Sequence, residues 1–218
     1  MVGPRLTPDE LFRRLRRSLA FDPSWPDGRW PVRWNFEPAG FEIAVGAVLT
    51  QNTRWENVEP VLARLSTQSL TTPAAILSAD ESLERAIRSV GFFRQKAGTL
   101  RRLAGLWRQT GGVPPRAALL RVRGIGPETA DAICLYASER PEFIADAYTR
   151  RLAVRLRLLG VEEATYARVK GYFESGLERD VALLRAFHAL IVQHGKRFCR
   201  KNPACRDCPL RPECPSAQ

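Results

Sequence analysis

The sequence predicts an all-α protein with two lobes. Capping residues stand in front of several segments with helical apolar spacing, and glycines follow others. No segment alternates apolar and polar residues over the length of a half-buried strand. We therefore expect helices along the whole chain and no sheet.

The first helix begins with a recognisable cap. Thr7 precedes Pro8 and an apolar-periodic run, and Glu10 follows at the spacing of a capping box. Thr53 and Glu56 repeat this spacing, so we expect a second capping box there.

Further helices are expected downstream. The segment 41–51 is apolar on nearly all sides, which predicts a buried central helix. The segments 82–90 and 94–109 are also expected to be helices, which end at Gly91 and at Gly111-Gly112, because glycine commonly terminates helices. The remaining helices are expected over 114–122, 127–138, 147–159 and 179–195.

The charge of the chain points to a polyanionic partner. The formal net charge is +11, and most of the 34 basic residues are arginine, whose planar fork suits phosphate. Genomic base composition could explain arginine over lysine, but not the net charge. The chain has no membrane-length apolar run and no signal-peptide pattern at its N-terminus. We therefore expect a cytoplasmic, nucleoid-associated protein of prokaryotic type that binds nucleic acid and no membrane.

A phosphate-binding hairpin is indicated around Ile125. A short helix stops at Arg123, Gly124-Ile125-Gly126 forms a tight turn, and Pro127 starts the next helix. The N–H groups of such a turn form an anion site, and Ile125 would point inward between the helices. This is the layout of a helix-hairpin-helix, which grips a DNA phosphate without reading sequence. A G-x-G turn by itself is also compatible with an ordinary helix connection.

Four cysteines near the end of the chain predict a metal site. Cys199, Cys205, Cys208 and Cys214 have the spacing C-x5-C-x2-C-x5-C. Disulfides are not expected in a cytoplasmic chain, and both zinc and a [4Fe–4S] cluster accept four thiolates. The residues alone leave these two metals open.

Together these segments resemble the helix-hairpin-helix DNA glycosylases of the endonuclease III superfamily over most of the chain. In that family a catalytic aspartate opens the helix after the hairpin, and Asp146 stands at that place. The segment "AVLTQNT" resembles the family's L-x-Q-x-T, whose glutamine fills the gap left by a flipped base and corresponds to Gln51. The segment "GFFRQKA" resembles the loop that wedges an apolar residue into the duplex. That residue corresponds to Phe92 or, as a second choice, to Phe93.

The resemblance also implies a fold, a cofactor and a partner. The fold is a two-lobed helix-hairpin-helix glycosylase fold, with a six-helix barrel lobe at 36–147 and an iron–sulfur cluster lobe at 1–35 and 148–218. Many members end in C-x6-C-x2-C-x5-C, so we expect a [4Fe–4S] cluster, although the first gap here is one residue shorter. Arg200 and Lys201 lie in a loop that touches DNA phosphate in the family. The expected partner of this monomer is double-stranded DNA containing a damaged base.

Glu128 stands where bifunctional members of the family carry a lysine. The amine of that lysine attacks C1′ of the sugar, forms a Schiff base and goes on to nick the strand. A carboxylate cannot form this adduct. The resemblance therefore implies a monofunctional enzyme that uses water as the nucleophile and leaves an abasic site.

Within the superfamily the chain resembles the 3-methyladenine glycosylase branch most. That branch has D-x-Y where other members have D-x-H, and this chain reads D-A-Y at 146–148. Aromatic side chains line the branch's base pocket, and Trp55 and Trp34 correspond to such positions. This implies N-alkylated purines as substrates, since indole faces bind cations. Asn35 departs from the branch, whose second tandem aromatic would stand there.

Three alternatives stay open. The enzyme could act on oxidised pyrimidines or on uracil, as an endonuclease III-type glycosylase. It could be a catalytically silent DNA-binding homologue, which Glu128 would fit, although such a protein would not need Asp146, Gln51 and Phe92. A regulator of a third kind would hold zinc at the cysteines.

Overall fold

The computed structural model describes residues 6–23 and 25–217. Over these ranges the chain forms α-helices and short 3₁₀ turns and no strand, which confirms the all-α prediction. The α-helices, numbered α1 to α11, are Pro8–Ser18, Phe41–Leu49, Trp55–Thr67, Pro73–Ser78, Glu81–Ala86, Phe93–Thr110, Arg116–Leu119, Pro127–Ala137, Ala147–Arg155, Tyr166–Ser175 and Val181–Arg197. The 3₁₀ turns are Pro26–Gly28, Arg88–Val90 and Arg211–Glu213. None of the described helices has the length and apolar character needed to cross a bilayer.

The starts of α1 and α3 test the two predicted capping boxes. At α1 the Thr7 hydroxyl accepts from the Glu10 N–H, and the Glu10 carboxylate accepts from the Thr7 N–H at 2.8 Å, so this box is confirmed. The second prediction is wrong, because α3 begins after Arg54, which caps it without a side-chain hydrogen bond. The Thr53 hydroxyl instead accepts from Nδ2 of Asn57.

The described chain divides into two compact units. We call Trp30–Arg140 the central unit, and the described residues up to Arg29 together with those from Pro141 onward the terminal unit. The central unit holds α2 to α8. The terminal unit holds α1 and α9 to α11.

Helix α2 lies in the core of the central unit, where it packs against α6 and α8. All nine of its residues are buried, which confirms the predicted buried helix. Phe41 at its start meets Trp107 of α6 edge-on, with ring centroids 5.3 Å apart. A helix buried on all sides has no water at its last carbonyl groups, so these need partners within the protein.

Helix α11 organises the terminal unit by packing against α1, α9 and the turn Pro26–Gly28. Phe143 stacks on Phe173 at 4.7 Å, and Phe187 of α11 meets Phe173 edge-on at 5.7 Å. Phe173 belongs to α10, a helix that the sequence patterns did not predict. The segment that carries Phe143 ends at Asp146, the N-cap residue of α9, so this aromatic core fixes where that carboxylate lies.

Candidate nucleic-acid interface and active site

The hairpin predicted around Ile125 is present in the central unit. Ile125 is only 5% exposed and belongs to the core, so its side chain points inward as expected. Gly124 has a φ of 98°, and a Cβ there would lie 2.1 Å from Oγ1 of Thr99, so the position requires glycine. Gly126 has a φ of −91°, which any residue can adopt. It caps α8 without a side chain, so Pro127 starts a helix whose first N–H groups face no capping side chain.

Helix α6 holds the first half of this hairpin. The Thr99 hydroxyl donates to the Arg123 carbonyl at 3.3 Å, and the Arg102 guanidinium donates to the same oxygen through Nε at 3.1 Å and Nη2 at 3.0 Å. The preceding helix α7, Arg116–Leu119, has only four residues and is shorter than expected. The turn is therefore held in place mainly by its hydrogen bonds to α6, and less by the short helix α7.

Gln51 lies against the hairpin. Its Nε2 donates to the Gly124 carbonyl and to the Thr129 hydroxyl, both at 2.9 Å. Thr129 is buried in the first turn of α8. The side chain predicted to fill the gap left by a flipped base is therefore tied to the hairpin. To enter a duplex, it would exchange these two hydrogen bonds for contacts with bases.

Phe92 and Phe93 have different environments. Phe92 is 65% exposed, follows Gly91 and has a φ of 46°, which is uncommon for a large side chain. Phe93 packs on the core, and the guanidinium carbons of Arg88 and Arg94 lie 5.8 and 5.6 Å from its ring centroid. The structure thus separates an exposed ring, Phe92, from an anchoring neighbour, Phe93.

The position that corresponds to the lysine of bifunctional family members carries a carboxylate in this chain. Glu128 lies exposed in the first turn of α8, where the positive end of the helix favours a negative charge. Lys96 is the only lysine between residues 30 and 140, and it is buried, with Nζ donating to two backbone carbonyls. The central unit therefore presents no exposed lysine amine.

Asp146 is a buried carboxylate at the N-terminus of α9. Its Oδ1 accepts from the backbone N–H and the hydroxyl of Thr149, both at 2.8 Å, and Nε2 of His188 lies 3.6 Å from Oδ2. Burial alone would raise the pKa of Asp146. The His188 ring, through hydrogen bonding and positive charge, and the hydrogen bonds from Thr149 outweigh burial, so the pKa lies below its usual value. Asp146 is therefore both a helix cap and a buried ionised group.

His188 is a neighbour of Asp146 that the sequence patterns did not reveal. Trp25 meets the His188 ring edge-on at 5.5 Å, with an interplanar angle of 86°. Trp25 precedes the turn Pro26–Gly28, which packs against α11. No spacing rule relates residues 146 and 188, so their contact follows only from the packing of α9 on α11.

The two tryptophans predicted to line a base pocket lie in the central unit. Trp34 and Trp55 are both partly buried against its core. Trp55 meets Trp30 edge-on at 5.1 Å, and Trp30 also contacts Tyr136 at 5.5 Å. Among the described rings, none of the contacts joins Trp34 to Trp55. The buried carboxylate of Glu42 accepts from the Trp34 N–H at 2.9 Å and fixes the backbone there.

The four terminal cysteines line one small cavity. Its remaining lining residues are Leu152, Arg155, Leu156, His194, Phe198, Pro203, Leu210 and Ser216. All four are free thiols, and across the described ranges no three His, Cys, Asp or Glu side chains are placed to hold a metal ion. Burial and the charges of the neighbouring cysteines raise the pKa of Cys208 and of Cys214, so four thiolates would need a cation to persist together. Four thiols are chemically suited to bind a metal or an iron–sulfur cluster. In the described positions, however, they are not arranged to hold a metal ion.

The loop after the first cysteine of this set is held by its backbone. Arg155 donates to Sγ of Cys199 at 3.2 Å and to the carbonyls of Arg200 at 2.7 Å and Lys201 at 3.2 Å. The side chains of Arg200 and Lys201 are exposed. The two residues predicted to meet phosphate are thus free to face solvent while Arg155 orders their backbone.

His194 is a second histidine that sequence reasoning left without a role. It is 1% exposed, and its Nε2 lies 3.2 Å from Sγ of Cys208. Burial, with the charge of Arg151, lowers the pKa of His194 to about 4. His194 therefore places a neutral imidazole beside the thiols.

Similar proteins identify the family. The model of the HhH-GPD superfamily of base excision DNA repair proteins matches residues 45–178, more than half of the chain. A Methanocaldococcus jannaschii protein named as a DNA repair glycosylase is 38% identical over 198 residues, which are 85% of this chain and 87% of that protein. Endonuclease III of Thermotoga maritima is 28% identical over 178 residues, covering 80% of this chain and 82% of that enzyme.

Solved structures share the fold. An endonuclease III trapped as a covalent intermediate with DNA matches with a TM-score of 0.81 at 24% identity, over 97% of both chains. An H. pylori 3-methyladenine DNA glycosylase bound to 1,N6-ethenoadenine matches with a TM-score of 0.69 at 29% identity, over 86% of this chain and 96% of that one. The chain therefore belongs to the HhH-GPD superfamily of base excision DNA repair proteins and is a DNA glycosylase of that family.

Proposed function

We propose that this glycosylase removes a damaged base from double-stranded DNA by hydrolysis, with water as the nucleophile, and leaves an intact abasic site. The observation that carries the proposal is Asp146, a buried carboxylate whose pKa is held below its usual value by His188 and Thr149 against the effect of burial. Glu128 supports it, because a carboxylate stands where a lyase would have its lysine.

Asp146 supports hydrolysis in two ways. Its negative charge stabilises the oxocarbenium-like charge that develops at C1′ as the bond to the base breaks. It also accepts a proton from the attacking water, whose oxygen forms the new bond to C1′ while the base leaves with the electron pair of the glycosidic bond. Because Thr149 occupies Oδ1, Oδ2 is the oxygen with fewer protein hydrogen bonds and the better proton acceptor.

The proposed substrates are N-alkylated purines. Such bases are cationic, and an indole face attracts a cation by about 0.5–2 kcal/mol. Trp34 and Trp55 supply indoles, and Trp30 adds a third ring against Trp55. The 29% identity to a 3-methyladenine glycosylase supports this class of substrate.

The runner-up substrates are oxidised pyrimidines or uracil. The Thermotoga maritima relative, which is an endonuclease III, favours this alternative. A catalytically silent DNA-binding homologue is a further alternative, because Glu128 replaces the lysine of the bifunctional members.

The proposed DNA contacts come from several described segments. The turn Gly124-Ile125-Gly126 leads into the uncapped start of α8, whose first N–H groups are offered to a phosphate, while the Ile125 N–H donates to the Val122 carbonyl. Phe92 supplies an exposed apolar wedge, and Gln51 fills the space of the flipped nucleotide. Exposed Arg200 and Lys201 would add phosphate contacts, and the net charge of +11 makes affinity fall steeply as salt rises.

The proposed cofactor is a [4Fe–4S] cluster held by Cys199, Cys205, Cys208 and Cys214. Their shared cavity, with its apolar lining, supports this assignment. When bound, the cluster would tie together the basic C-terminal segment. It takes no part in the hydrolysis described above.

Base release from defined duplexes tests the proposal. The wild type and Asp146→Asn are incubated with duplexes carrying an alkylated purine, an oxidised pyrimidine or uracil, and the freed base is measured by mass spectrometry. We expect release of alkylated purine by the wild type and a fall of about 10²-fold or more in the variant. Release of oxidised pyrimidine or uracil alone would favour the runner-up. If the wild type released no more base than Asp146→Asn from any duplex, the chain would be a silent binder.

A further inference from the structure

Lys96 is a buried cation that the proposed chemistry does not use. Its side chain is 3% exposed in the first turn of α6. Nζ donates to the Leu49 carbonyl at 2.8 Å and to the Val90 carbonyl at 3.0 Å. Among the described residues no carboxylate pairs with Lys96, so this ammonium is satisfied by neutral backbone oxygens.

Both carbonyls end a helical element. Leu49 is the last residue of α2, and Val90 is the last residue of the turn Arg88–Val90. The final carbonyls of a helix have no partner within it, and α2 is buried on all sides. A cation is also favoured at the negative end of a helix. Lys96 therefore caps two elements with one group.

The positions of these carbonyls relate Lys96 to the DNA-facing segments. Gln51 follows Leu49 by two residues, and Phe92 follows Val90 by two residues. The ammonium thus binds the backbone two residues before each of the side chains that are proposed to enter the duplex. Through Gln51, which is hydrogen-bonded to Gly124, it is also connected to the hairpin.

The contacts do not depend on the charge of Lys96. Burial lowers the pKa of Lys96 to about 8. A neutral amine keeps two N–H groups, which suffice for two carbonyl acceptors. Both carbonyls therefore stay bonded whether or not the amine is protonated.

We propose that Lys96 is a positioning residue whose single side chain fixes the Gln51 segment and the Phe92 loop relative to each other. The inference rests on the proposed roles of Gln51 and Phe92 in holding a duplex open. Lys96 acts through these residues and touches no reacting atom.

The test compares duplex and single-stranded DNA, because only a duplex has to be held open. Lys96→Met removes both hydrogen bonds while keeping a side chain of similar length. On the lesion that the wild type excises best, we expect excision from the duplex to fall at least about tenfold, since flipping costs a few kcal/mol. Excision of the same lesion from a single strand is expected to stay within about twofold of the wild type, a factor that corresponds to about 0.4 kcal/mol. The reason is that a single strand does not have to be held open. An equal fall on both substrates would overturn the proposal.

Lys170→Met is the matched control. Lys170 is a partly buried lysine of the terminal unit that pairs with Glu142 and Glu174. Its replacement should lower the melting temperature but leave the ratio of duplex to single-strand excision unchanged. If it changed the ratio as Lys96→Met does, the ratio would report stability alone and the proposal would fail.

Two further arms keep the test decisive. If Lys96→Met does not fold, Lys96→Gln is used, and its ratio of duplex to single-strand excision should also fall, because the shorter amide cannot bridge both carbonyls.

Base opening is measured separately by the fluorescence of 2-aminopurine opposite an abasic analogue, which requires no excision. We expect the wild type to raise this fluorescence and the variant not to raise it. A wild type that excises no lesion would contradict the proposed function, whereas a variant that opens the duplex normally would contradict the role of Lys96.

Discussion

Nε2 of His188 lies 3.6 Å from Oδ2 of Asp146, and each side chain is only 12% exposed. The other carboxylate oxygen is occupied by Thr149. The buried carboxylate of a glycosylase is therefore kept ionised from two sides, by Thr149 of the helix that Asp146 caps and by a histidine on α11. This arrangement predicts how the enzyme responds to pH.

Replacing His188 by glutamine should raise the pKa of Asp146. The variant loses the imidazole whose hydrogen bonding and electrostatic attraction lower this pKa, while burial, which raises it, remains. The acidic limb of the rate profile should therefore move to higher pH. The profile of base release between about pH 3 and pH 7 checks this, because the wild-type limb lies below the ordinary pKa of an aspartate, about 3.9, and the limb of the variant lies higher. An unmoved limb would mean that His188 does not act on Asp146.

The same pKa shift has a consequence for stability. An aspartate with a depressed folded pKa contributes stability above its unfolded pKa of about 3.9 and loses it as the pH falls through the folded value. His188→Gln should therefore lose stability relative to the wild type at neutral pH, and the difference should shrink in acid. Urea unfolding at several pH values measures it.

Phe92→Ala and Phe93→Ala should separate function from stability. Phe92 is 65% exposed, so its removal should change the free energy of unfolding by less than about 0.5 kcal/mol while lowering excision from a duplex. Phe93 packs on the core, so its removal should cost about 2 kcal/mol. Denaturant titration and duplex excision assays on both variants measure these effects. Equal stability losses would refute the assignment of Phe92 as the wedge.

Iron content tests the cysteine assignment. Protein purified without oxygen should be brown, and Cys208→Ser should lose iron and the visible absorption of the cluster. Cys134→Ser is the matched control, because Cys134 is buried in α8 and lies outside the cysteine cavity. It should keep its iron. A colourless protein with one zinc per chain would contradict the cluster.

Glu128→Lys should create a lyase adduct that the wild type lacks. Glu128 is exposed at the start of α8, so a lysine there would present its amine without burial. Borohydride reduces a Schiff base to a stable bond. The variant, mixed with a duplex containing an abasic site and borohydride, should form a covalent protein–DNA band on a denaturing gel. If no band formed, the position would not correspond to the lyase lysine.

Local features of the fold could be predicted from the sequence. The capping box at Thr7 was correct because a cap involves residues only three positions apart. The prediction that α2 is buried was correct, because a helix that is apolar on all sides is stable in a globular protein only inside its core. The box at Thr53 was wrong because the same residue types also suit the loop before α3. The six-helix barrel and the cluster lobe stay predictions.

Contacts between distant residues could not be predicted. His188 meets Asp146 only because α11 packs on α9, and Lys96 meets Leu49 across 47 residues of sequence. The sequence places Phe92 and Phe93 side by side without saying which is exposed, since backbone angles decide that. The resemblance named Gln51 but not its hydrogen bonds to the hairpin, which depend on the packing of α2 against α8.

The central claim is that water, and no amine of the protein, attacks C1′. The most direct measurement incubates the wild type with a duplex carrying its best lesion, with and without borohydride, and examines the products on a denaturing gel. We predict an intact strand that breaks only after alkali, and no covalent protein–DNA band. A nicked strand before alkali, or a band trapped by borohydride, would contradict the account.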